Sequence, residues 1–183
     1  MRHAVDRGNA LFRAIQIELM RSAAWFIEEK KMRVKDIMTP DPISCLPDTL
    51  LQRVAELMVE NDCGEIPIVD DVAKNVLVGV ITDRDITCRT VAKGLNPLTL
   101  RAADVMTAEC ISVTPETSLD ECCRLMESNQ IRRIVVVDAE GACCGIVALA
   151  DIAKHAAIEN SGEVVKEVSK PKAAAAAFGA DTV

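Results

Sequence analysis

The sequence predicts a mixed α/β protein of the α+β kind, made of two copies of a β-α-β-β-α unit behind an N-terminal helix. Two observations carry this. Shifted by 68 residues, the chain superimposes on itself without a gap from Asp36 to Asp70, and by 66 residues thereafter. Each copy also closes with an apolar run, a glycine and an aspartate six residues on, Gly79 to Asp85 and Gly145 to Asp151. A period of this length with matched turn and strand signals means two copies of one supersecondary unit.

The matches are specific. Asp36-Ile37-Met38-Thr39 falls on Asp104-Val105-Met106-Thr107, Ile43-Ser44 on Ile111-Ser112, Pro47 on Pro115, Thr49 on Thr117 and Asp70 on Asp138. Six of the eight cysteines stand where the other copy has a hydrophobe: Cys45, Cys63, Cys122, Cys123, Cys143 and Cys144. Packing as small apolar side chains explains them. There is no Cys-x-x-Cys, and His3 and His155 are far apart, so no metal site is expected.

Residues 1–33 read as a polar start and an amphipathic helix, with Phe12, Ile15, Leu19, Ala23 and Phe26 on one stripe. Acids are mixed into its polar face, so docking on protein is expected rather than lying on a membrane. In the first copy, residues 34–90, Ile43–Leu46 reads as a strand and Pro47-Asp48-Thr49 as a helix start. Thr49 and Gln52 have capping-box spacing there. Ile66–Val69 and Val76–Ile81 are further strands, and Thr82 opens a helix. A linker, 91–101, with Gly94 and Pro97 leads to the second copy, 102–158. Residues 159–183, with five consecutive alanines, read as a flexible tail.

Composition excludes several functions. The net charge is −7, yet residues 1–35 carry eight Lys/Arg against four Asp/Glu, so the body is strongly acidic. With three Phe, one Trp and no Tyr, there are no base-stacking platforms, and nucleic acid is not expected as the main partner. No apolar run approaches the roughly 18–20 residues of a membrane span, so a soluble, cytoplasmic protein is expected. There is no nucleophile–base–acid set and no phosphate loop, so no enzyme activity is expected.

Two β-α-β-β-α units, each entered through Asp-(Ile/Val)-Met-Thr and left through Gly-x-(Ile/Val)-x-x-x-Asp, resemble a pair of CBS domains, often called a Bateman module. Gly79-Val80-Ile81-Thr82-Asp83-Arg84-Asp85 is the stretch most similar to the family. The resemblance covers about residues 34–158. It implies a pseudo-two-fold pair with two clefts, a homodimer, a regulatory role towards an unidentified protein partner, and no obligatory cofactor. The implied ligand is an adenine nucleotide such as AMP, ADP or ATP, or a related adenosyl ligand.

In such a site a carboxylate accepts hydrogen bonds from two ribose hydroxyls, the role implied for Asp85 and Asp151. Gly79 and Gly145 would leave the adjacent backbone open to ligand, and Thr82 would offer its hydroxyl at a helix start suited to an anion. Arg132, Arg133 and Arg84 are the implied phosphate-binding cations, and Ile43, Ile111, Ile66 and Ile134 the implied adenine sandwich. Thr82-x-x-Asp85 is equally a capping box that needs no ligand. The copies also differ: Ala148 replaces Thr82, and Gly64 and Glu65 stand where the second copy has Arg132 and Arg133. One competent site is expected, the alternative being a dimeric interaction protein with degenerate clefts.

Overall fold

The computed structural model describes residues 32–155 and 158–170. The expected N-terminal helix lies outside these residues, as does the tail from 171. The described residues from Arg33 onward belong to one unit.

In each repeat a helix packs behind a β-hairpin. Helix α1, Leu51–Glu60, buries Leu51, Val54 and Met58, one face of the turn, while Arg53 pairs with Glu56 and Glu60 on the other. Strands β2 (Glu65–Val69) and β3 (Leu77–Thr82) are antiparallel, with a bulge at Ile68/Val69, and helix α2 (Asp83–Arg89) follows directly. The second repeat matches this arrangement. Helix α4 is Leu119–Asn129, strands β6 (Arg133–Val137) and β7 (Cys143–Ala148) bulge at the equivalent Val136/Val137, and helix α5 is Leu149–His155.

The capping box expected of Thr49 and Gln52 does not form. Thr49 lies two residues ahead of α1, and its Oγ1 accepts the Leu46 N–H at 3.1 Å, closing the turn at Pro47 instead. Thr117 does the same for Thr114, and there Ser118 caps α4 by accepting the Glu121 N–H at 3.2 Å. The strand expected over Ile43–Leu46 is reduced to one parallel bridge, Cys45 to Ile68. Its counterpart is a strand proper, β5 (Ser112–Val113), parallel to β6.

The repeats exchange strands. Strand β1, Thr39–Pro40, leads the first repeat but pairs with β7 of the second, giving the sheet order β1-β7-β6-β5. Strand β4, Thr107–Ala108, follows the short helix α3 (Ala102–Val105) and leads the second repeat. It pairs with β3 of the first, in the sheet β2-β3-β4. The cores cross over too: Ala102 and Val105 are buried among Leu51, Val54, Ile66 and Ile81 of the first repeat. In the opposite direction, the Val34 N–H donates to the Thr117 carbonyl at 2.9 Å.

This exchange revises the role of two glycines. A Cβ on Gly79 would stand 2.8 Å from the carbonyl oxygen of Thr107, and one on Gly145 would stand 2.6 Å from Met38 Sδ. Both glycines admit the neighbouring repeat's strand rather than a ligand.

A smaller core of Val69, Val135 and Cys143, flanked by Leu46, Leu77, Val80 and Val137, joins the hairpins. Asn75, in the left-handed region at φ 57°, ties their ends: its carbonyl accepts the Cys143 N–H at 2.8 Å and its amide donates to the Cys143 carbonyl at 2.6 Å. Cys45, Cys122 and Cys143 are buried, and all eight cysteines are free thiols. Burial pushes Cys122 up to about 12 and Cys45 and Cys143 to about 11, which fits packing and not reactivity.

Where a flexible tail is expected from residue 159, the structure carries helix α6, Ile158–Val168. Val164 and Val168, four residues apart on one face, are buried, and the helix packs on α4. That burial outweighs the cost of Gly162 inside the helix.

Candidate functional site

The site is built at the end of β3. Thr82 caps α2 with a full capping box: its Oγ1 accepts the Asp85 N–H at 3.1 Å, and Asp85 Oδ2 accepts the Thr82 N–H at 3.0 Å. The Thr82 hydroxyl donates to the same oxygen at 2.7 Å. Asp85 Oδ1 pairs with Arg89 at 3.1 Å, one turn along. Arg89 also donates to the Val105 carbonyl at 2.6 Å and to Thr107 Oγ1 at 2.8 Å. This arginine, which the sequence reading missed, is signalled only by its i+4 spacing from Asp85. It locks the exchanged strand β4 to the aspartate.

The expectation that this turn holds an anion is not met. Asp83 N–H goes to the Gly64 carbonyl at 3.2 Å, Arg84 N–H to Asp83 Oδ1 at 2.6 Å and Asp85 N–H to Thr82. The first-turn donors are satisfied within the protein, so they cannot also cradle a phosphate.

Across the ladder from Thr82 stands Glu65, so both side chains lie on one face of the hairpin. Glu65 is half-buried, and burial pushes its carboxyl up to about 7. The charge of Arg133 opposes that shift and Asp85 adds to it. Arg133 Nη2 and Asp83 Oδ2 flank Gly64, at 3.3 and 3.2 Å from where a Cβ there would stand. Glu65 and Arg133 occupy equivalent places in the two repeats, so the equivalent residues approach each other as opposite charges. Burial raises the thiol of Cys110, in the segment after β4, and the charge of Glu65 adds to that.

The second turn is simpler. Asp151 Oδ2 accepts the Ala148 N–H at 3.0 Å and Oδ1 lies 3.4 Å from Lys154 Nζ, with no hydroxyl at position 148. Asp85 and Asp151 have the same side-chain exposure, 18 %.

Of the residues singled out in sequence, Thr82, Asp85 and Arg133 are therefore brought together, with Glu65 among them. Arg84 lies on the exposed side of α2, lining a shallow groove with Thr87 and Cys88. Arg132 is exposed at the start of β6. Ile66 and Ile134 are fully buried in the cores and cannot touch a ligand, whereas Ile43 and Ile111 reach the surface. A cleft of about 420 Å³ runs between the repeats past Leu77, Ala108, Cys110 and Val137. Among the described residues, no three His, Cys, Asp or Glu side chains gather as metal ligands, and no helix is long and apolar enough to cross a membrane.

The family known as CBS domain matches twice, over residues 34–89 and 102–158. The chain belongs to the CBS-domain family. Among relatives, the CBS domain-containing protein YhcV of Bacillus subtilis is 38% identical over 137 residues, covering 74% of this chain and 94% of its own. The CBS pair also resembles solved structures. Hypoxic Response Protein I with two coordinated zinc ions superimposes with a TM-score of 0.62 at 33% identity, covering 69% of this chain and 100% of that one. CBSX2 in complex with AMP gives 0.58 at 30%, covering 68% and 95%. The CBS domain pair of MJ0100 in complex with 5′-methylthioadenosine and S-adenosyl-L-methionine gives 0.61 at 26%, covering 67% and 94%.

Proposed function

We propose that this CBS pair is a regulatory module that binds an adenosyl ligand in the cleft between its repeats and reports it to a partner. The observation that carries the reading is the partly exposed Asp85 carboxylate beside Thr82, in a fold whose relatives are crystallised with AMP, S-adenosylmethionine or methylthioadenosine. A carboxylate offers about four lone-pair sites. Asp85 uses three, so a ribose hydroxyl takes the fourth or displaces Arg89. Ile43 and Ile111 supply apolar contact for the base. Ligand that touches both repeats favours one arrangement of the exchanged strands, and a population shift of that kind is what a partner reads. The signalling role is non-catalytic, and we take the working form to be a cytoplasmic homodimer.

A second reading, a dimeric interaction protein, draws on Val91, Leu95 and Leu98. These stand 62%, 48% and 59% exposed along the linker.

Thermal unfolding with AMP, ADP, ATP, NAD, S-adenosylmethionine and GMP separates the two. Ligand that binds only the folded state raises the transition, by several degrees when well above its dissociation constant. A rise with an adenosyl ligand, lost in Asp85→Ala or Asp151→Ala, supports the module. No rise with any of the six at millimolar concentration sinks it in favour of the interaction protein.

A further inference from the structure

We propose that Glu65 sets the charge class of the ligand taken at the strand-to-helix turn of the first repeat, favouring adenosyl ligands that carry a positive charge or none over those that carry phosphate. The inference rests on the adenosyl-ligand reading and deepens it.

Glu65 shares a face with Thr82, and its carboxyl lies within the influence of the charges of Arg133 on β6 and Asp85 on α2 and itself acts on the Cys110 thiol in the segment after β4. Asp83 stands beside Arg133 at Gly64. Arg89 is committed to Asp85, Val105 and Thr107, so among the described residues the carboxylates of Glu65 and Asp83 are left beside the guanidinium of Arg133. Burial of the Cys110 thiol raises it, so it adds no charge near neutral pH. The backbone donors of the turn, which would otherwise receive a phosphate, are used within the protein. A half-buried carboxylate repels a phosphate strongly and attracts a sulfonium or ammonium group just as strongly.

Burial pushes Glu65 up to about 7, so its charge is present above neutrality and lost below it. Protonation removes the repulsion and leaves Arg133 free to pair with phosphate. Binding of an anionic ligand therefore strengthens as pH falls, and binding of a cationic one weakens.

Isothermal titration of the full chain with S-adenosylmethionine, adenosine and AMP, at pH 8 and pH 6, tests this in wild type and Glu65→Gln. Any titration showing two sites is repeated in Asp151→Ala. In wild type at pH 8, S-adenosylmethionine and adenosine bind more tightly than AMP, and AMP gains about tenfold on moving to pH 6. Glu65→Gln binds AMP at pH 8 about tenfold more tightly than wild type and gains less on acidification. The phosphate's own second ionisation, at about pH 6, affects both proteins alike, so their ratio isolates Glu65. AMP binding wild type more tightly than adenosine at pH 8, or an unchanged ratio between the two proteins, overturns this inference alone. The wild-type pH series stands even if the variant folds poorly. Failure of all three ligands to bind at either pH overturns the adenosyl reading and this inference with it.

Discussion

The first repeat closes its strand-to-helix turn with a hydroxyl, a carboxylate and an arginine; the second closes the same turn with one backbone contact to Asp151 and a long contact to Lys154. The hairpins behind the turns match down to the position of their bulges. Difference is thus concentrated at the strand-to-helix turns, while the scaffold stays constant. Two copies of one fold can diverge at a handful of side chains without disturbing the core that joins them.

The comparison breaks most visibly at the two glycines. Gly79→Ala drives a Cβ against the Thr107 backbone oxygen, which cannot swing away, so it costs about 2–3 kcal/mol. Gly145→Ala meets the Met38 thioether, a flexible side chain, and costs about 1 kcal/mol. Urea unfolding midpoints of the two variants check the order, and equal losses would refute it.

Next comes Glu65. Its carboxyl is raised from the usual value near 4.5 to about 7, so the folded protein holds a proton there that the unfolded chain has released. Stability is lost as pH rises from about 4.5 to about 7 and stays lost above. Glu65→Gln removes that loss, gaining about 2 kcal/mol at pH 8 and nothing below pH 4.5. Unfolding across this pH range measures it, and a constant difference between the proteins would contradict it.

The aspartates follow. Asp85→Ala removes the reciprocal half of a capping box and a partly buried ion pair, costing about 1–2 kcal/mol. Asp151→Ala loses one backbone contact and a long lysine pair, costing about 0.5–1 kcal/mol. The smallest effect sharpens the comparison by erasing it: Ala148→Thr restores the missing cap and adds about 0.5–1 kcal/mol. An unchanged melting transition would show that the second turn does not use a hydroxyl.

Much of this was legible in the sequence, and the failures have physical causes. The long strands and helices declare themselves through apolar runs and three-four spacing, and the capping box of Thr82 and Asp85 through its residue types. The two-residue strands β1 and β4 carry no periodicity, and their partners lie in the other repeat, beyond any local signal. For the same reason Gly79 and Gly145 read as ligand-facing, when the atoms they avoid come from distant chain. Thr49 has the right spacing for a cap, but Pro47 ahead of it makes a turn that claims its oxygen first. Ile66 and Ile134 fit an adenine by chemistry alone; only packing reveals that their faces are already filled.

The crossing of β1 and β4 bears on descent and on dissection. A single repeat made alone would keep a leading strand with nowhere of its own to pair, and a sheet edge left open beside its glycine. Two such copies satisfy each other by swapping those strands about a closed two-fold. A half on its own would thus be self-sufficient only as a swapped dimer, an arrangement that the present chain reproduces with its two repeats joined through residues 91–101. Severing the fusion at Gly94 should yield fragments that recapture each other, because each holds the piece the other lacks.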